Sequence, residues 1–135
     1  MNSITAIFNH IQTLKVSSAE MKDYINSLDK EDYVSLATIY TIGRDNGWER
    51  NYEDNKEYYS FIEENEAQGI KVTQTMLDNK FLTKNMKKEQ VQLTYDYELS
   101  SSEKIDGVYN HDWLGMKSNL ITAVQNGLNM LSEIN

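Results

Sequence analysis

Apolar residues at Ile4, Ile7, Phe8, Ile11 and Leu14 recur every three or four positions, which places them on one stripe of a helix. Ser3 stands where a cap is expected. A second stripe, Met21, Tyr24, Ile25 and Leu28, follows Ser17 and Glu20, whose S-x-x-E spacing suits a capping box. Asp29 precedes an acidic first turn, Glu31 and Asp32, and predicts a third helix running through Tyr33, Leu36, Ala37, Ile39 and Tyr40 to Ile42. Gly43 is expected to end or kink that helix. The run Gly43-Arg44-Asp45-Asn46-Gly47-Trp48 reads as a loop, because glycine, Asp and Asn stabilise turn backbones.

From Tyr52 to Glu66 the pattern is polar, with Tyr58, Tyr59, Phe61 and Ile62 as the narrow apolar stripe of a surface helix. Gly69 separates it from Val72, Met76, Phe81, Leu82 and Met86, which predict one further helix or two, interrupted near Asp78 and Asn79. Val91 to Leu99 alternates apolar and polar residues at every step, the period of a half-buried strand. Leu82, Met86, Leu93 and Tyr97 also fit one helix face. The balance favours a small hairpin, pairing this stretch with residues 104–109 through Ser100, Ser101, Ser102 and Glu103. Trp113, Leu114, Leu120, Ile121, Val124, Leu128 and Leu131 then predict a long closing helix capped by Asp112. The expected fold is mainly α: a compact bundle of five or six helices, with one short β-hairpin within 91–109, in a single domain spanning 1–135. The absence of proline agrees with it.

Charge narrows the partners. The net charge is -8, and residues 51–100 carry ten acidic side chains against six lysines. A field of that sign repels phosphate backbones and anionic lipid, so neither direct nucleic-acid binding nor membrane binding is expected. Lys84, Lys87 and Lys88 cluster, but as a solvated helix face. With no cysteine there is no disulfide framework, thiolate metal site or cysteine nucleophile. No apolar run is long enough for a membrane span, and Met1 to Leu14 lacks a basic leader, so the expected location is cytoplasmic.

The motifs that carry common chemistries are missing. No G-x-x-x-x-G-K-[ST], G-x-G-x-x-G or G-x-S-x-G occurs. His111-Asp112 resembles a fragment of the metal-binding pair of some phosphohydrolases, yet such a site needs more ligands than His10, the other histidine, can add. The pair reads instead as a loop followed by a helix cap. In the acidic stretch Asp45 to Glu57, Arg50 occupies the position where a calcium-binding loop requires glycine. No Glu-x-x-His pair is present to build a di-iron bundle. Glu63, Glu64 and Glu66 read as surface charge rather than acid-base catalysts. No metal, no cofactor and no enzymatic activity are expected.

What is left is recognition. Arg44, directly after Gly43, can hold a loop through bidentate pairing with Asp32, Asp45 or a helix end, or bind an anion. Trp48, Tyr52, Tyr58 and Tyr59 follow closely, with Glu63 and Glu64 beyond them. Exposed together, these rings would form an aromatic patch rimmed by acids, a composition that suits a protein-binding hot spot. Buried, they would be core.

The stretch from Ile25 to Ala37, INSLDKEDYVSLA, closing on Ile42-Gly43-Arg44-Asp45, resembles a bacterial family of unknown function with a pattern like "aLdeDeqvdLvALmwlGRGD". The resemblance extends over residues 20–90 and includes a helix similar to Thr75 to Leu82. It implies a helix-loop-helix around Gly43 and Arg44 and transfers no catalytic residue, the family having no assigned activity. Richness in Asn, Lys and Ile is that of a low-GC bacterium or one of its phages. The expected function is therefore a non-enzymatic protein-binding factor, an inhibitor or immunity or anti-defence protein of phage or mobile-element origin, that docks on a basic protein surface. Homo-oligomerisation is compatible with it. The alternative is a small-molecule or nucleotide-sequestering module built on Arg44 and the nearby aromatics.

Overall fold

A computed structural model describes residues 2–134 of the chain. The fold is mainly α, with seven α-helices among the described residues: α1 (Asn2–Ile11), α2 (Ala19–Ser27), α3 (Lys30–Arg44), α4 (Lys56–Ala67), α5 (Gln74–Phe81), α6 (Lys84–Ser101) and α7 (Leu120–Ser132). A two-stranded antiparallel hairpin, β1 (Lys104–Ile105) and β2 (Val108–Tyr109), follows α6. Contacts divide the chain into two units. Trp48–Gln90 forms the second, and the segments before and after it form the first. Among the described residues no helix is long and apolar enough to cross a membrane.

In the first unit α3 lies along α7, and α1 packs against both. The predicted stripes supply the core: Ile4, Ile7, Phe8 and Ile11 from α1, Met21 and Ile25 from α2, Tyr33 to Tyr40 from α3, Leu120 to Val124 from α7. Each fully buried Leu or Ile removes apolar surface worth about 1.5–3 kcal/mol, so the α3–α7 seam supplies much of this unit's stability. Asp29 caps α3 as predicted, its carboxylate accepting from the Asp32 N–H at 2.9 Å.

Several boundaries differ from the pattern. Ser3 lies inside α1 rather than capping it. The α2 cap is Ser18, which accepts from the Met21 N–H, while Ser17 takes a left-handed φ of 61°. Gly43 does not end α3, which runs on to Arg44, because the missing side chain is needed for close packing against α7. Asp112 does not cap the closing helix: α7 begins at Leu120 after Asn119, and Asp112 accepts instead from the Asn26 side chain.

The 91–99 stretch is helical, so the strand expected there is corrected. Burial follows Val91, Thr94, Tyr95, Glu98 and Ser102, a spacing of three and four, while Leu93, Tyr97 and Leu99 face outward at 70%, 68% and 41% exposure. The inward stripe of this helix is largely polar, so its alternating apolar residues gave a false strand signal. The hairpin is shorter than expected and lies wholly within 104–109, turning at Asp106 and Gly107, both at positive φ.

In the second unit, Asn55 caps α4 and Thr73 caps α5, each side-chain oxygen accepting a backbone N–H three residues on. Residues Tyr58, Phe61, Ile62 and Asn65 turn α4 inward. Asp78 does not interrupt α5, which continues to Phe81.

Candidate functional site

The second unit is organised around Tyr52. A short 3-10 turn, Asn51–Asp54, carries its ring inward to 2% exposure, where it stacks on Phe81 with centroids 5.5 Å apart. The Tyr52 hydroxyl donates to Asp78 Oδ1 at 2.6 Å and accepts from Gln74 Nε2 at 2.7 Å. Arg50 closes the cluster with a two-pronged grip on the same carboxylate, Nε to Oδ1 at 2.9 Å and one terminal nitrogen to Oδ2 at 3.0 Å. These guanidinium bonds, with the Tyr52 and Gln74 donors, hold the Asp78 carboxyl down to about 2 despite partial desolvation. Burial, then the bond to Asp78, pushes the Tyr52 phenol up to about 12.

An aromatic chain leads outward from this anchor. Tyr52 meets Tyr58 at 6.0 Å, and Tyr58 meets Tyr59 edge-on at 5.1 Å. Tyr58 is half-buried and Tyr59 is 58% exposed. On the other flank of α4, Phe61 packs edge-on against Phe81 at 5.6 Å. These two rings floor an open depression of about 430 Å³ walled by Glu57, Ser60 and Glu64, with Lys56 and Lys80 on its rim. Trp48 sits under the Lys87 ammonium, 5.8 Å from ring centroid to nitrogen. Beside it Glu49 and Gln90 exchange two hydrogen bonds, both of 2.9 Å.

The residues singled out in the sequence thus have different fates. Tyr52, Tyr58 and Tyr59 are brought together, but only Tyr59 is exposed. Glu63 and Glu64 are exposed on α4, Glu63 on the solvent side and Glu64 on the wall of the depression. Arg44 belongs to the first unit, exposed on the last turn of α3. Among the described residues no group of three or more His, Cys, Asp or Glu could hold a metal ion.

No protein-family model, no curated protein and no solved structure matches the chain.

Three features escaped the sequence. Arg50 comes from the segment before α4, while Gln74 and Asp78 lie one turn apart on α5, and neither Arg50 nor Asp78 carries a local signal of pairing; Asp78 even reads as a helix breaker. Glu98 lies buried in the first unit, at 7% exposure, while its chain neighbours Tyr97 and Leu99 face outward. The third is the turn Asn110-His111-Asp112, where three consecutive residues hold φ of 44°, 57° and 62°. Asn110 anchors it by accepting from the Glu103 N–H at 3.0 Å and donating to the Tyr33 hydroxyl at 3.3 Å, and Asp112 by its bond from Asn26. Such left-handed runs of non-glycine residues persist only where surrounding bonds over-determine them.

Proposed function

We propose that the chain is a non-enzymatic protein-binding factor, of an inhibitor or immunity type, whose working surface is the outer side of α4 and whose partner presents a basic surface. The observation that supports this reading best is Tyr59. It is a large ring, 58% exposed, propped edge-on by Tyr58, with Glu63 and Glu66 one and two turns along the same side of the helix. A rigid aromatic anchor beside unpaired carboxylates is a composition that binds basic protein surfaces: the ring supplies contact area at low entropic cost, and the charges speed encounter. The anchor is rigid because Tyr58 rests on Tyr52, which Asp78, Gln74 and Phe81 fix in turn.

The test is capture of a binding protein on the immobilised full chain, followed by measurement of its association with three forms: wild type, Tyr59→Ala and Glu63→Lys. The expected result is a loss of affinity of at least about tenfold for Tyr59→Ala, and an association rate that falls with ionic strength for wild type and falls further for Glu63→Lys. Equal binding by all three forms, or a rate insensitive to salt, overturns the reading.

A further inference from the structure

Glu98 is the one buried carboxylate of the first unit that no partner neutralises among the described residues. It sits on the last turn of α6 at 7% exposure, and its hydrogen bond is long: the Thr41 hydroxyl donates to Oε1 at 3.4 Å. Arg44, one turn beyond Thr41 on α3, attracts it without forming an ion pair, and the Tyr33 hydroxyl, also on α3, feels its charge from farther away. One helical turn past Glu98, Ser102 is 5% exposed and its hydroxyl finds no hydrogen-bond partner. The end of α6 is therefore seated in the first unit through a carboxylate poorly solvated by protein and a hydroxyl left unsatisfied. Burying an uncompensated charge is costly, whereas a neutral carboxyl can be buried and can also donate a hydrogen bond.

We propose that Glu98 is a proton-operated latch: neutral, it seats the last two turns of α6 on α3, and ionised, it loosens them. Tyr95, on the same inward stripe, packs against the core and is the apolar half of the seat. The Ser102 N–H, which donates to the Glu98 carbonyl at 2.9 Å, closes the final turn and reports on its state. The sign follows from the environment. Desolvation holds the Glu98 carboxyl above its ordinary value of 4.5, opposed by Thr41 and Arg44. The stabilisation is therefore complete below that ordinary value and is lost as pH rises through the raised one.

The experiment is amide hydrogen exchange on the full chain, corrected for intrinsic rates, from about pH 8 down to about pH 4, a range that reaches below the ordinary carboxyl value. In wild type the Ser102 amide, with those of Tyr95 to Ser101, is expected to gain protection several-fold on acidification. Glu98→Gln, permanently neutral, is expected to show the protected level throughout. Arg44→Gln, an exposed change that leaves packing intact, removes an attraction for the charge and is expected to move the transition to higher pH. Protection in wild type that is flat over this range, or an unchanged pH dependence in Glu98→Gln, overturns the latch. Should Glu98→Gln not fold, a transition that does not move in Arg44→Gln overturns it equally.

Discussion

Gly43 of α3 and Gly127 of α7 meet backbone to backbone. A Cβ built on Gly43 would overlap the Ala123 carbonyl oxygen and the Gly127 amide nitrogen, and one built on Gly127 would overlap the carbonyl oxygen of Ile39. The obstructing atoms belong to helix backbones, which cannot rotate away as a side chain can. Asn126 bridges the same crossing by donating to the Gly43 carbonyl at 3.5 Å. This contact explains why two residues of poor helix propensity stand inside helices.

Adding a single methyl at either glycine should force α3 and α7 apart along the main seam of the first unit. Gly43→Ala and Gly127→Ala are each expected to lower unfolding stability by at least about 2 kcal/mol, although alanine is the better helix former. Urea denaturation followed by circular dichroism measures it. Unchanged midpoints for both variants would show that the crossing has slack.

The first unit was legible in the sequence where burial is one-sided. In α1, α2 and α7 the apolar residues lie on one stripe, so a spacing of three and four marks both the helix and its core face, whereas α3 is buried on nearly every side and is marked chiefly by its Asp29 cap and acidic first turn. The signal failed on α6, where Glu98 and Ser102 face inward while Leu93 and Tyr97 face out. Binary pattern assumes apolar means buried, and α6 breaks that assumption at the positions that decide its period. Gly43 misled for a related reason, since glycine signals either a helix end or a close approach and only the partner helix tells which. In the candidate site the rings were visible as a cluster, but their exposure was not. Tyr52 is held in the Asp78–Arg50–Gln74 cage, which joins Arg50 and Tyr52 to residues of α5 more than twenty positions away.

Acid should dismantle that cage in a defined window. The Asp78 carboxyl is lowered from 3.8 to about 2 by Arg50 first, and folding therefore favours its charged form. Its stabilisation is fully present above 3.8 and is lost as pH falls toward about 2. Asp78→Asn is expected to destabilise the second unit at neutral pH and to remove the part of the acid transition that lies in this window. The measurement is thermal unfolding against pH for both forms, and parallel curves down to about pH 2 would count against the cage.

The alkaline side tests the same cluster from the other partner. Burial and Asp78 push Tyr52 up to about 12, and burial pushes Tyr33, stacked on Tyr109 at 4.1 Å, to about 12 as well. Folding thus favours both neutral phenols, and the associated stability is lost as pH rises from 10.0 through about 12. Ultraviolet titration of tyrosinate should resolve two late-ionising phenols in wild type. Tyr52→Phe should remove one of them and cost about 1 kcal/mol for the lost hydroxyl bonds. A titration in which all nine tyrosines ionise together near the ordinary value would contradict the burial of both rings.

The left-handed turn at Asn110-His111-Asp112 makes opposite predictions for adjacent residues. His111 has φ of 57° and an exposed side chain, so its Cβ crowds the backbone with no bond in return. Glycine there relieves about 1 kcal/mol of crowding at a comparable entropic cost, whereas a β-branched residue suffers the full strain. His111→Gly is expected to be neutral or mildly stabilising, and His111→Val to destabilise by at least about 1 kcal/mol. Asn110 has φ of 44°, yet its side chain ties Glu103 to Tyr33. Asn110→Gly should therefore destabilise by about 1 kcal/mol or more even though its backbone is relieved. Paired denaturation curves decide the matter: if glycine acts alike at both positions, the turn is held by backbone preference, and the side-chain anchors drawn from Asn110 contribute nothing.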